Sequence, residues 1–581
     1  MTIYDLLEKY KETYEIDDIR FNQDDISILD ECDKSKYELV RNIISLYEDY
    51  RNPNELFRPQ MCWNGKRTFD LVDLSDDDYE TLFKLEEDRL PVVISTRIFD
   101  VLWVMKKDHQ SARKAVAGYK FLFENTYDNT QWTTCADMIC RALHISARLG
   151  KKTALFIDVC ETIKDTLKRE DGNDPLFLSV VLLNELIAQK YGVYSDYLEL
   201  SDKIILNAKK NSANQHKVEE SFKSKKQLLL WGKQSTHDCD MELVSYYEAE
   251  LENSLTSVNN LYISINNVKT AIHIARNCKE QEKATELLKK LEVLQKRVPE
   301  QMAKISHSVD LTEPHEKIVK LFEGTDFIED LLTIVRLVQV FKTEELRKSV
   351  LEKNDFSTNL FGVALLDDRG HTVLELPPLD GKSPDERSVN LHIFREIEEL
   401  TNISGQTTLR WALQELNRKH TFDEKELEFI FDECAIVRPN RSKILAFGMN
   451  LALHGKIYEA LHILAPQTED IFRYIAEQNG GLVYTLENNN TSSAKALSSI
   501  FDLPELNDCY DPDYLLLFRG LLNEKAGSNL RNKVAHGILE PQEGRGGSAV
   551  YFCLILLKLC AFSSHAFYQK VDATCKAVSD K

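Results

Sequence analysis

Asn529-Leu530-Arg531-Asn532-Lys533-Val534-Ala535-His536-Gly537 is the one stretch of this chain where residue type, spacing and local charge together point to a reaction. On a helix, Asn532 and His536 stand at i and i+4 and share a face. The asparagine amide is then placed to fix the tautomer and tilt of the imidazole. Arg531 falls on the neighbouring face, and its rigid fork suits a phosphate. Gly537 can take positive φ and stop the helix straight after the histidine. The stretch thus reads as a histidine at a helix end beside a phosphate-binding arginine. The same letters also suit an ordinary helix end. Arg531 and Lys533 are cations favoured near a C-terminus, and His536 can cap the last carbonyls.

Arg531 and His536 are spaced as in the Arg-(four to six residues)-His signature that they resemble, that of HEPN domains, which are helical bundles. The wider context runs from Leu521-Leu522-Asn523-Glu524-Lys525 to the Asn-Leu-Arg-Asn and Ala-His-Gly steps. It resembles the HEPN-like domain-of-unknown-function family 4209, marked by Arg-Asn, three residues, then His-Gly. The resemblance covers the last quarter of the chain. It implies a C-terminal helical bundle. Many HEPN domains are metal-independent ribonucleases, and others are inactive binding modules. The resemblance gives Arg531, Asn532 and His536 catalytic positions, with Lys533 and Gly537 in support. It also points to Glu469, in Ala465-Pro466-Gln467-Thr468-Glu469-Asp470 on a long bundle helix, as an acidic partner for the motif. Glu469 reads equally well as a first-turn glutamate of a proline-started helix. Arg473, one turn on, pairs with it in either case.

RNA supplies its own nucleophile, the 2′-hydroxyl. The enzyme must add a base for that hydroxyl, an acid for the leaving 5′-oxygen, and positive charge on the phosphorus. His536 is the motif residue whose ordinary pKa suits acid and base roles near neutral pH. Arg531 suits binding of the scissile phosphate. One histidine does not easily serve as base and acid at once. HEPN ribonucleases solve this by dimerising, so the resemblance implies a homodimer through the C-terminal bundle. No metal or cofactor is expected. The sequence has no His-Glu-x-x-His, Gly-x-Ser-x-Gly or Gly-x-Gly-x-x-Gly motif. Gly381-Lys382-Ser383 is not a phosphate loop, because Leu376 stands where its first glycine belongs and Pro384 follows at once.

A formal charge of −21 over 581 residues makes a uniform nucleic-acid surface untenable, so any RNA contact must be local. From Arg519 to Lys581 there are nine Lys/Arg and five Asp/Glu, a surplus of four positive charges, which leaves −25 for the rest. The surplus includes the motif. Apolar residues at 43% and charged residues at 29% describe a globular chain with ample core material. The twelve cysteines contain no Cys-x-x-Cys pair and are expected to be reduced, mostly buried thiols of a cytoplasmic protein. Met1-Thr2-Ile3-Tyr4-Asp5 lacks the pattern of a secretory leader. The longest apolar run, Ala549 to Phe562, is broken by Lys558 and is too short to span a membrane. It predicts a buried bundle helix.

The expected fold class is all-α, with irregular α-solenoid-like N-terminal and middle regions, one small β-hairpin insertion and a C-terminal HEPN-like bundle. The expected divisions are an N-terminal helical domain over 1–235, a middle helical region over 236–355, a hairpin linker with connecting helices over 356–437, and the bundle over 438–581. Asp76-Asp77-Asp78 reads as a solvated loop or helix start. Ile94, Ile98, Val101, Leu102 and Met105 form one amphipathic stripe, and Arg97 and Asp100 are spaced to pair within that helix. The run Thr96 to Trp103 looks like the helical region that often accompanies the C-terminal family. Ala112 and Ala115 let helices approach, yet no fixed repeat period emerges. Eight lysines between Lys203 and Lys233, interleaved with Glu219 and Glu220, read as a solvated face or an RNA-facing edge. Phe361 to Leu366 and Thr372 to Leu376, flanking Asp367-Asp368-Arg369-Gly370, read as a hairpin. One helix is expected from Pro512 to His536, with Pro466 kinking or restarting an earlier one.

Two functions remain from the sequence. The first is a HEPN-like endoribonuclease, a toxin or phage-defence effector whose N-terminal helices meet a protein trigger or partner. The second is a non-catalytic helical scaffold whose bundle dimerises or binds nucleotides.

Overall fold

The computed structural model describes residues 1–49, 56–63, 66–210, 214–254, 261–303, 306, 308–352, 362–367, 369–379, 385–486 and 491–579. Helices dominate, and the described strands form four separate two-stranded antiparallel sheets. The all-α class is the observed one. The chain divides into two compact units, Met1–Leu291 and Glu292–Lys581.

In the first unit, successive helices pack on their neighbours. Val92–Lys106 starts after Pro91 and stops at Lys107 in the left-handed region. Its stripe Ile94, Ile98, Val101 and Leu102 is buried as the spacing requires, while Met105 in the last turn is exposed. His109–Asn125 returns along it. A Cβ on Gly118 would meet Thr96 Oγ1 at 1.9 Å, so only glycine permits this approach. Trp132–Leu149 and Ala154–Glu170 continue the array. Asp76-Asp77-Asp78 forms the first turn of Asp76–Phe83, capped by Ser75.

The pair expected between Arg97 and Asp100 is not the one that forms. Asp100 is wholly buried and receives Arg141 Nε at 2.8 Å, Arg141 Nη2 at 2.5 Å and the Tyr119 hydroxyl at 2.9 Å. Arg97 turns to Glu48 at 2.8 Å and lies over the Phe57 ring. A buried carboxylate gains more from a two-pronged guanidinium on a neighbouring helix than from a single contact three residues back. In the lysine-rich segment, Lys209, Lys223, Lys225 and Lys226 each pair with a carboxylate. Lys217 is buried, its ammonium bonded to the carbonyls of Gly172 and Asp174. These cations are largely neutralised where they stand.

The second unit is built around Gly547–Phe562, whose residues are almost all buried. That is the apolar run of the sequence, folded as a core helix. Lys558, which interrupts the run, sends its Nζ to the Val338 carbonyl at 2.6 Å, at the C-terminal end of Phe327–Leu337. An ammonium at a helix C-terminus meets unsatisfied carbonyls and the negative end of the helix dipole. Around the central helix pack Phe327–Leu337, Glu386–Ser404, Ser442–Leu453 and Ile457–Gln478. Glu386–Ser404 passes through a π-helical turn, Gly405–Leu409, into Arg410–Lys419. A Cβ on Gly405 would lie 1.9 Å from the Gly547 carbonyl oxygen, so bare backbone meets bare backbone at the start of the core helix.

The β-hairpin pairs Val363–Leu366 with Thr372–Leu376, and its Leu376 joins the same core. Phe361, Asp368 and the loop Gly381-Lys382-Ser383-Pro384 lie outside the described residues. The eleven described cysteines are free thiols, most of them buried. No described helix is long and apolar enough to cross a membrane.

Candidate functional site

The segment expected as one helix from Pro512 to His536 is two helices, Pro512–Leu522 and Leu530–His536. The first is started by Asp511 and Pro512 and ends at Asn523. The break comes from the loop that follows. A Cβ on Gly527 would sit 2.1 Å from the Gly520 carbonyl oxygen, and Ser528 N–H donates to that same oxygen at 3.0 Å. The chain thus folds back on the helix it has just left. Asn529 takes the left-handed region at φ 54°, and the motif helix Leu530–His536 begins. Gly537, at φ 68°, closes it. Gly537 N–H reaches Val534 O and Ile538 N–H reaches Lys533 O, the two bonds of a Schellman ending.

Arg531 leans away from the loop, toward Ile457–Gln478. Its Nε donates to Glu469 Oε2 at 2.6 Å. Glu469 is 8% exposed, and its other oxygen accepts from Arg473 Nη2 at 2.7 Å. Arg473 also donates to the Lys495 carbonyl, at the end of the Ser492–Ala494 strand. A carboxylate this buried needs charged partners, and two guanidiniums supply them. Pro466 lies inside the continuous helix Ile457–Gln478. Glu469 is therefore mid-helix and not in a first turn, which removes the helix-start explanation for it.

Asn532 does not turn to the histidine. Its Nδ2 donates to Asn529 Oδ1 at 2.7 Å and to the Asn523 carbonyl at 3.3 Å, and its Oδ1 accepts from Arg531 Nη1 at 3.1 Å. The i, i+4 spacing allows an approach to His536, but the break in the helix offers the amide a backbone carbonyl and a second amide instead. Asn532 is the latch between the loop and the motif helix. His536 is exposed and has no hydrogen-bond partner among the described residues. Arg531 keeps Nη2 without a described bond, and the side chain is 27% exposed. Lys533 pairs with Glu543 and lines, with Asn529 and Leu530, a cleft that Arg531 does not line.

The structure therefore joins Arg531, Asn532 and Glu469 directly, leaves His536 open at the helix end, and turns Lys533 to that cleft. Sequence reasoning did not find that cleft. Two more of its cations, Lys525 and Arg545, belong to the basic surplus after Arg519, which was the only sequence signal for it. Among the described residues, no cluster of three or more His, Cys, Asp or Glu side chains is placed to hold a metal ion.

Residues 20–158 match a protein family described as a domain of unknown function, DUF7380. That is less than a quarter of the chain, and it contains Arg97, Asp100, Tyr119 and Arg141 with their buried ion pairs. No curated protein and no solved structure matches the chain.

Proposed function

We propose that the chain is a HEPN-like, metal-independent endoribonuclease that acts in the cytoplasm as a toxin or phage-defence effector. The observation that carries this reading is the motif helix end. An arginine is held by a buried carboxylate with one guanidinium nitrogen left over, and a histidine stands open to solvent on the same seven-residue helix. In this reading Arg531 Nη2 meets a non-bridging phosphate oxygen, and Glu469 and Asn532 hold the other two guanidinium nitrogens. Neutral His536 takes the proton of the ribose 2′-hydroxyl, whose oxygen attacks phosphorus. The phosphorus–O5′ bond breaks, and an imidazolium returns a proton to the leaving oxygen. The products are a 2′,3′-cyclic phosphate and a 5′-hydroxyl. The 2′-hydroxyl is an internal nucleophile, so the reaction needs no metal-bound water.

Base and acid together require two imidazoles, and the second comes from another copy of the chain, related by two-fold symmetry through the bundle. The N-terminal helices are the candidate seat of a protein trigger or partner. One observation favours the scaffold reading instead: Arg531 is already engaged in an ion pair, as a purely structural arginine would be.

The two readings separate in one experiment. Purified chain and His536→Ala are incubated with the same RNA pool in EDTA, and 2′,3′-cyclic phosphate ends are counted. The nuclease reading expects the variant to lose roughly 10²–10⁴-fold. Equal cleavage by both proteins points to a contaminating nuclease, and cleavage by neither under any trigger decides for the scaffold.

A further inference from the structure

Beyond the motif, the second unit contains a cleft of about 1140 Å³. Its walls are the β-hairpin, Glu386–Ser404, the loop before the motif helix, and the segment that leads into the core helix. Three features set it apart from an ordinary surface groove. The first is its charge arrangement. Four carboxylates line it, and each has a partner: Asp367 with His371 at 2.9 Å, Glu398 with Arg395 at 3.2 Å, Glu540 with Arg369 at 3.8 Å, and Glu543 with Lys533. Lys525 and Arg545 also line it, and neither has an ion-pair partner among the described residues. Among the described residues the cleft therefore holds two cations without an ion-pair partner; its five Lys/Arg face four carboxylates, one positive charge in excess, and a second when His371 is protonated.

The second feature is Ser528. It is 6% exposed, it lines the cleft, and its hydroxyl has no hydrogen-bond partner among the described residues. Buried hydroxyls without partners are uncommon, because each one forfeits the bonds it made in water. The third feature is apolar: Leu365, Val373 and Ile538 line the same cleft, and Ile538 is largely exposed.

We propose that this cleft binds a small phosphomonoester. Lys525 and Arg545 meet its charge, the Ser528 hydroxyl donates to it, and its organic body lies on Leu365, Val373 and Ile538. A phosphomonoester carries about 1.5 to 2 negative charges at neutral pH, and Lys525 and Arg545 are two cations free to meet them. The volume admits a ligand of nucleotide size with room to spare. The RNA strand is the poorer occupant. A strand presents one charge per nucleotide and calls for a run of free cations, and its bases call for aromatic platforms. Among the described residues, no phenylalanine, tyrosine or tryptophan lines the cleft. The site is separate from the histidine and stands whether or not the chain cleaves RNA.

The test uses the full chain and isothermal titration calorimetry. The probes are adenosine 5′-monophosphate, ribose 5-phosphate, adenosine, inorganic phosphate and a 2′-O-methylated 12-nucleotide RNA. At least one phosphomonoester is expected to bind at least about tenfold tighter than inorganic phosphate and adenosine. The double variant Lys525→Ala/Arg545→Ala is expected to weaken it by about tenfold or more, and Ser528→Ala by severalfold, with unchanged melting temperatures. His536→Ala is expected to bind it as the wild type does, so a failed nuclease assay leaves this result intact. The proposal is overturned if neither phosphomonoester binds at millimolar concentration, or if binding survives the double variant. It is also overturned if the RNA binds tighter than either phosphomonoester and loses that affinity in the double variant, which would make the cleft a strand track.

Discussion

Arg531 and Glu469 lie 62 positions apart in sequence and 2.6 Å apart in space, Nε to Oε2. The contact fixes the motif helix on Ile457–Gln478 and sets which guanidinium nitrogen faces outward. Glu469→Ala leaves Arg473 and Arg531 without their common anion. Breaking a fully buried pair costs about 3–5 kcal/mol, and Arg531 keeps solvent contact, so the expected loss is about 2–3 kcal/mol in urea unfolding. Glu469→Gln keeps the shape and is expected to lose less. If both variants melt with the wild type, the pair does not hold the motif helix in place.

Asn532→Ala is expected to loosen the loop and leave the histidine's surroundings alone. It removes two donated bonds, to Asn529 and Asn523, at a cost of about 1–2 kcal/mol. Hydrogen exchange over residues 523–529 should rise, while the His536 ring NMR signals should stay where they are in the wild type. Displaced ring signals with an unchanged loop would restore the amide to the histidine.

Gly537→Ala places a side chain in the left-handed region at φ 68°. The expected cost is about 1 kcal/mol, read as a lower midpoint in denaturant. Gly324, with open space around it and φ 75°, is the control for strain without a motif. A motif-helix signal lost only in the Gly537 variant confirms that the cost is local.

In the first unit, Arg141→Ala is the severe change. It leaves Asp100 buried beside the Tyr119 hydroxyl alone. About 3–5 kcal/mol should be lost, and Arg141→Lys should recover only part, because an ammonium cannot reproduce the two-pronged contact. Unchanged unfolding of the alanine variant would show that the pair is energetically idle.

Burial raises the Glu398 carboxyl above the ordinary carboxylate range, and Arg395 pulls the other way. A folded-state pKa above the unfolded one means that the folded chain binds the proton more tightly. That stability is fully present below the unfolded value and is lost as pH rises through the folded one. Glu398→Gln removes the loss. Its melting temperature should match the wild type near pH 4 and exceed it at pH 7 to 8. A gap that is largest at pH 4 reverses the sign and shows that Arg395 dominates.

Much of this was legible in the sequence, and the places where it was not have physical causes. Helical periodicity exposed the stripe from Ile94 to Leu102 and the apolar run that becomes the core helix. Turn chemistry exposed the hairpin around Asp367. The local letters of the motif carried Arg531 and His536 to a helix end. They could not carry the break at Asn523, because that break depends on Gly527 lying against the Gly520 carbonyl, a contact made only in the folded chain. They misdirected Asn532 for the same reason. Spacing reports which side chains share a face and is silent about a carbonyl that a loop brings within reach. The Arg97 and Asp100 pairing failed through tertiary competition: Arg141 arrives from 41 positions away with a better fork. Beyond the basic surplus after Arg519 the cleft was not legible, since its walls come from four separated segments.

Leu530–His536 has seven residues, fewer than two turns, and a helix that short has no stability of its own in water. Its shape is borrowed from Glu469 upstream and from packing on a bundle whose central helix, Gly547–Phe562, is still to come in the chain. Synthesis runs from the N-terminus, at about 5–20 residues per second. The motif's letters therefore leave the ribosome on the order of seconds before the helix that completes their scaffold. A chain cut before Gly547 keeps the two helices that the motif helix packs on, Ile457–Gln478 and Pro512–Leu522, and lacks the core helix on which Ile457–Gln478 itself rests. The support of the motif is thus completed only after the motif has been made.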